Sequence, residues 1–233
     1  MNEYNDKTSG EISSKWLITG MVFLVLFFLM TVLVIKGITQ VPDGQAALAI
    51  NHMKVGSALS NLLILASLYG REYFWIPIVA IMLLFGKRDT KLLAIELAAL
   101  LVVGIIAGEA MKYVMYRARP FDTLTGIVTR VTRDADSSYP SGHALIVSIA
   151  ALFSLAMFRR KSIALLLTLE AAIVCISRVY VGVHYPMDVI SGIFLGGFIV
   201  FTGMFVIKKY LSRMFNRLAD LFQRIIMMGL FSL

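Results

Sequence analysis

The sequence predicts an all-α, polytopic membrane protein of six transmembrane helices, with an interfacial helix after the first span and an amphipathic C-terminal tail. Three observations carry this. Of the 233 residues, 59% are hydrophobic and only 15% charged, a balance that excludes an ordinary soluble domain. Trp16 to Ile35 is a run of twenty uncharged residues, which as a helix rises about 30 Å and matches the hydrocarbon core of a bilayer. Further apolar runs follow, separated by short basic segments.

The first span is too long for the apolar region of a signal peptide, and no small-x-small cleavage site follows it, so it is expected to be retained. Residues 38–71 mix polar and apolar positions. Within them INHMKVGSALSNLLILASLYG, with Asn51, His52, Lys54 and Asn61, reads as an interfacial helix leading into the membrane. The second span is expected at about 72–86, with Pro77 inside it, and the third to sixth at about 92–117, 142–158, 162–180 and 186–207. With six spans, Lys87, Arg88 and Lys91, then Arg159, Arg160 and Lys161, then Lys208, Lys209, Arg213, Arg217 and Arg224 all fall on the side of the N-terminus. The positive-inside rule makes that side cytoplasmic. A cell-membrane protein with segments 118–141 and 181–185 facing outward is therefore expected. Arg119, Arg130 and Arg133 lie in the outward segment against the rule, and are read as site residues or loop charges.

The domain plan is a cytoplasmic segment 1–15, a six-helix membrane domain 16–208 and an amphipathic cationic tail 209–233. The tail alternates basic residues with Leu, Phe, Ile and Met at helical spacing, suited to the anionic inner leaflet or to a partner helix. The net charge of +8 is spread over short segments, which argues against a nucleic-acid-binding stripe. Cys175 is the sole cysteine, so neither an intrachain disulfide nor a cysteine metal cluster is expected.

Three segments place polar groups at the outer ends of spans: KYVMYRARP (112–120), YPSGH (139–143) and SRVYVGVHYPMD (177–188). Lys112 and Arg119 are seven residues apart, two helical turns, so on a continuous helix they share a face. With Arg178 they supply three cations, the complement of a phosphate. Ser141 is a candidate N-cap that leaves the amides of Gly142 and His143 aimed at an anion, and Gly142 lets a phosphate oxygen approach the backbone. His184 and Asp188 are four apart at a helix start. The carboxylate can fix the tautomer of the imidazole and leave its other nitrogen free to attack phosphorus. His143, on another span, is the candidate general acid for the leaving oxygen.

KxxxxxxRP, then PSGH, then SRxxxxxHxxxD resembles the three-part signature of the type 2 phosphatidic acid phosphatase superfamily, which also includes glucose-6-phosphatase and vanadium haloperoxidases. The matching residues are Lys112, Arg119 and Pro120; Pro140, Ser141, Gly142 and His143; and Ser177, Arg178, His184 and Asp188. The signature covers residues 112–188. The resemblance implies a six-helix core, metal-independent hydrolysis without a cofactor, and a phosphohistidine intermediate at the outer membrane surface. It implies His184 as nucleophile, Asp188 as its partner, His143 as acid, and Lys112, Arg119, Ser141, Gly142 and Arg178 as phosphate ligands. The soluble haloperoxidase members do not fit so apolar a chain.

A membrane-embedded site favours a lipid phosphate, and among these a polyprenyl diphosphate, with phosphatidylglycerophosphate, phosphatidic acid and lipid A phosphates as alternatives. Arg130 and Arg133 either steady a second phosphate or pair with Asp134 and Asp136. A lipid phosphotransferase would use the same residues. A non-enzymatic lipid-binding or transport protein is the reading of another class, and the intact histidine and aspartate set argues against it. Of the acidic residues within expected spans, Glu109 is read as pairing with Lys112, Glu96 as solvated near the inner end, and Glu170 as packed, hydrogen-bonded or protonated in a structural role.

Overall fold

The computed structural model describes residues 2–231, with side chains at 14–71 and 73–228. The chain forms α1 (Asn2–Ile35), α2 (Gln40–Asn51), α3 (Ser57–Tyr69), α4 (Glu72–Phe85), α5 (Arg88–Val114), α6 (Pro120–Thr123), α7 (Gly142–Met157), α8 (Lys161–Tyr180) and α9 (Pro186–Val206). A π-helical turn, Ile207–Leu211, carries α9 into α10 (Ser212–Phe231). The described residues are thus helical, as expected, while length and apolarity alone pick out four or five spans among them, short of confirming six. Four stretches are long and apolar enough to cross a membrane: Ser14–Ile35 of α1, α5, α8 and the helical run Pro186–Met228. α3 and α4 pass that test only as a pair, bent by 66°, and α7 is apolar but 16 residues long.

The architecture is organised around α7, which packs against α9, α8 and α5 and is buried along most of its length. Glycines let α9 come close. A Cβ at Gly192 would lie 2.7 Å from the Ser141 carbonyl, and one at Gly196 would lie 3.1 Å from that of Leu145, so this one-turn repeat admits the backbone of α7. α1 covers the other side of α9, where Phe23 stacks on Phe201. Outward faces stay apolar: Ile18, Val22 and Val25 on α1, Ile106 on α5, and Leu165, Leu166 and Leu169 on α8 are exposed. So large an uncovered apolar surface is that of a membrane-integral protein.

The expected interfacial helix is divided. α2 ends at Asn51, the chain is irregular to Gly56, and α3 then carries Ser57–Tyr69. Both Asn51 and His52 tie down the outer loop: Asn51 Nδ2 donates to the carbonyls of Val128 and Tyr180, and His52 Nε2 lies 2.8 Å from the Gly126 carbonyl. The third span stops three residues early, at Val114, and the chain runs extended to Arg119, whose φ of −76° and ψ of 158° suit the residue before a proline. Glu96 is buried rather than solvated, and accepts from Lys208 Nζ at 2.6 Å. Glu109 lies 3.6 Å from Lys112 Nζ as expected. Both oxygens of Glu170 are buried without a hydrogen bond, which removes the hydrogen-bonded option.

The tail is amphipathic, yet it docks on the protein. Phe215 and Ala219 are buried, α10 packs on α5, and Arg88 Nε donates to Asp220 at 2.6 Å. The last two residues of the expected tail, 232 and 233, lie outside the described residues. The basic segments 87–91 and 159–161 lie with this tail at one end of the bundle, and the C-terminal ends of α5 and α8 lie at the other.

Candidate active site

At that other end a cavity of about 350 Å³ is lined by Arg71, Glu109, Lys112, Arg119, Asp134, Ala135, Asp136, Gly142, His143, Arg178 and His184. Each arrives by a different local device. Lys112 comes from the last turn of α5. Arg119 comes from the extended link before α6, and not from a shared helix face, so the two-turn spacing was the wrong reason for a correct neighbourhood. Arg178 projects from the last turn of α8 and is held by α3, its Nη1 donating to the Ser67 carbonyl at 2.9 Å and to Ser67 Oγ at 2.6 Å. Its Nε is buried and makes no hydrogen bond, leaving a donor for a ligand.

Ser141 caps α7 by accepting from the Ala144 amide, and its own amide donates to the Asp188 carbonyl at 3.0 Å. It is fully buried and lies outside the lining of the cavity, where it builds the helix start that presents Gly142 and His143. At Gly142 a Cβ would stand 3.3 Å from Arg71 Nη1 and 3.8 Å from Lys112 Nζ, so the bare backbone faces those cations.

His184 lies in the tight link between α8 and α9. Gly182, at φ +83°, makes the turn, and a Cβ there would press on the Val128 carbonyl at 2.9 Å. His184 is 2% exposed. Its Nδ1 sits 2.8 Å from the Ser138 carbonyl. A carbonyl only accepts, so Nδ1 carries the hydrogen and Nε2 keeps its lone pair. Burial, followed by the charges of Arg178, Arg119 and Lys112, pushes this imidazole well below the ordinary histidine value. Asp188 is not its direct hydrogen-bond partner: Oδ2 is 3.6 Å from Nδ1 and instead accepts from Ser138 Oγ at 2.5 Å and the Tyr185 amide at 2.9 Å. The i,i+4 spacing brought the pair close, but Ser138 stands between them.

Acidic residues of the outer loop occupy the cations. Asp136 accepts from Lys112 Nζ at 2.5 Å and from Arg119 Nη2, and Asp134 lies 3.5 Å from Arg119 Nη2 and 4.0 Å from Arg178 Nη2. Burial alone would raise the Asp136 carboxyl, but these hydrogen bonds and charges hold it at about 2. Arg130 and Arg133 do not pair with Asp134 or Asp136. Arg130 donates to the carbonyls of Tyr180, Val128 and Asn51, Arg133 lies over the Phe121 ring, and neither lines the cavity.

The sequence and the helical fold find their counterpart in known proteins. A model of the PAP2 superfamily matches residues 92–213. The chain belongs to the PAP2 superfamily. It is a membrane phosphatase. Over 155 residues it is 43% identical to an undecaprenyl-diphosphatase of Sulfolobus acidocaldarius, covering 66% of this chain and 73% of that one. Among solved structures it is similar to a transmembrane PAP2-type phosphatidylglycerolphosphate phosphatase from Bacillus subtilis. The TM-score there is 0.65 at 20% identity, over 80% of this chain and 94% of that one. Aquifex aeolicus LpxE gives a TM-score of 0.57 at 22% identity, over 69% and 93%. These two likenesses show the fold.

The sequence reading of this PAP2 chain missed Arg71, Arg117, Ser138, Ser67 and Asp43. Arg71 sits at the bend between α3 and α4 and lines the cavity. Asp43 carried a usable signal, being the sole carboxylate between Glu11 and Glu72.

Proposed function

We propose that the protein removes the terminal phosphate of a polyprenyl diphosphate through a phosphohistidine on His184, at the extracytoplasmic face of the cell membrane. The observation that carries this reading is the buried imidazole whose Nδ1–H is committed to the Ser138 carbonyl, beside a cavity walled by Lys112, Arg119 and Arg178. In the first step the Nε2 lone pair forms a bond to phosphorus. The bond from phosphorus to the bridging oxygen breaks, and that oxygen keeps the electron pair and takes a proton from His143. Water then attacks the phosphohistidine, giving a proton back to His143, and Nε2 recovers its pair as inorganic phosphate leaves. The three cations and the α7 amides stabilise charge on the equatorial oxygens throughout. Asp188 acts on His184 through Ser138.

The substrate class rests on the 43% identical relative named an undecaprenyl-diphosphatase, and on Arg71, a fourth cation at the cavity that suits a second phosphate better than Arg130 or Arg133. The outward orientation rests on the basic segments gathered at the end opposite the cavity. The test is phosphate release by purified protein in detergent with chelator present. Prenyl diphosphate, phosphatidic acid and phosphatidylglycerophosphate are compared at equal mole fraction. Prenyl diphosphate is expected to lead, with label released as free phosphate. Equal rates overturn the substrate, label passing to another lipid overturns hydrolysis, and full turnover by His184→Ala overturns the nucleophile.

A further inference from the structure

Arg117 belongs to none of the signature positions and does not line the phosphate cavity. Its side chain is nonetheless mostly buried, between two carboxylates that are themselves fully buried. Nη1 donates to Asp188 Oδ1 at 2.6 Å and Nη2 to Asp43 Oδ2 at 2.7 Å. The guanidinium carbon lies 4.0 Å from the centre of the Tyr185 ring, so the plane of the fork is fixed as well as its ends. Asp43 is held in turn from α9, where the Met187 amide donates to its Oδ1 at 3.0 Å.

The same residue grips Ser138 twice. The Ser138 amide donates to the Arg117 carbonyl at 2.9 Å, and Ser138 Oγ donates to Asp188, whose other oxygen Arg117 holds. Arg117, Ser138 and Asp188 therefore close a ring of hydrogen bonds. The nearest group that ring presents to the nucleophile is the Ser138 carbonyl, which takes the Nδ1–H of His184 at 2.8 Å, with Ser138 Oγ 3.4 Å from the same nitrogen.

We propose that Arg117 is a positioning residue for His184, acting through the Ser138 carbonyl and Asp188, and that Asp43 on α2 is its anchor. The inference rests on His184 being the nucleophile. Arg117 lies outside the lining of the phosphate cavity and borders a separate cavity of about 570 Å³ with Tyr116, Leu124, Tyr139 and Tyr185; it keeps Asp188 from being a buried charge without a counter-charge, and keeps the Ser138 carbonyl aimed at the ring. The charged and titratable groups around this ring are Asp43 from α2, Tyr139 from the outer loop, His184 and Tyr185 from the α8–α9 link, and Asp188 from α9. Arg119, Lys112 and Arg178 face the far side of His184.

The test uses the purified full chain on prenyl diphosphate. kcat, KM and the inhibition constant of inorganic phosphate are measured for Arg117→Gln, Arg117→Lys, Asp43→Asn and His184→Ala. For Arg117→Gln, kcat falls about 10- to 100-fold, the scale of losing a partner that orients a reacting group, while KM and phosphate inhibition stay within about threefold. Arg117→Lys recovers much of the loss, because a cation still reaches Asp188. Asp43→Asn lowers kcat in the same manner and by less. Wild-type kcat in Arg117→Gln overturns the inference, and so does a loss of phosphate affinity in step with kcat, which would make Arg117 part of the cradle or of the fold. If Arg117→Gln does not fold, Asp43→Asn decides by the same two criteria. His184→Ala separates the layers: turnover there sinks the nucleophile, whereas a dead His184→Ala beside a fully active Arg117→Gln sinks only the positioning role.

Discussion

Removing the Asp136 carboxylate should make the enzyme bind phosphate more tightly. Asp136 accepts from Lys112 and Arg119, two of the cations proposed to hold the substrate, so a phosphate bound by both must displace it. A fully buried charge-assisted hydrogen bond is worth about 1.5–3 kcal/mol, but the Asp136 side chain is 42% exposed. Solvent screening brings each pair down to about 0.5–1 kcal/mol. The two pairs together then hold the cradle closed by about 1–2 kcal/mol, which is about 5- to 30-fold in affinity. The assay is competitive inhibition of prenyl diphosphate hydrolysis by inorganic phosphate, for Asp136→Asn and Asp136→Ala, at fixed ionic strength and detergent mole fraction. The inhibition constant is expected to fall by that factor in Asp136→Ala and by less in Asp136→Asn, whose amide oxygen still accepts. Added salt should narrow the difference, since it weakens the pairs in the parent. An unchanged or weaker inhibition constant in both variants, at unaltered thermal stability, would refute the view that the loop carboxylate stands in for substrate.

Gly142→Ala places a methyl beside Arg71 and Lys112, so KM and the phosphate inhibition constant should rise about 3- to 10-fold, with thermal unfolding in detergent little changed. The His184 imidazole is held well below its ordinary value, so the free enzyme keeps a neutral nucleophile through about pH 6.5 and the acidic limb of kcat/KM lies below that point. The same displacement destabilises the fold in acid. The unfolded chain takes up the proton first, so unfolding free energy falls as pH drops below about 6.5, which denaturant titration at two pH values reads directly. Lys208→Met leaves Glu96 buried without its cation. Because Lys208 is itself 43% exposed, the cost is put at about 1–3 kcal/mol, below the value for a fully buried pair, and is read by thermal unfolding. Activity per folded molecule should be unaffected, as the pair lies far from the cavity.

What could be read from the chain was whatever repeats a local rule. Lys112, Arg119, His143, Arg178 and His184 stood out because each is a polar residue at the end of an apolar run, and the cavity gathers all of them. The same reasoning gave a helical reason for Arg119 that the structure replaces with an extended link, since Pro120 disfavours helix at the residue before it. Ser141, read as a ligand of the phosphate, caps α7, and Asp188, read as the partner of the histidine, lies 3.6 Å from its Nδ1 with Ser138 between them. Arg117, Ser138 and Asp43 were invisible because their meaning lies in contacts between α2, the outer loop and α9. No periodicity within one segment encodes a guanidinium shared by carboxylates at positions 43 and 188. The span count is less legible for a related reason. α3 and α4 are each too short to qualify, and only their bent junction at Arg71 shows why two half-length apolar helices are used.

The shortness of α7 gives the site a depth. Sixteen residues rise about 24 Å, some 6 Å less than a typical ~30 Å hydrocarbon core. If α7 crosses the bilayer with Arg159, Arg160 and Lys161 at one polar boundary, its His143 end stops short of the other, which would make the cavity a polar well beneath the phosphate plane of the surrounding lipids. A lipid head must be drawn down into it, or the bilayer must thin around it, at a fraction of a kcal/mol per Å. Bilayer thickness is thereby a mechanical variable of the reaction: short-chain lipids bring the heads level with the well, and long-chain lipids lift them away from it.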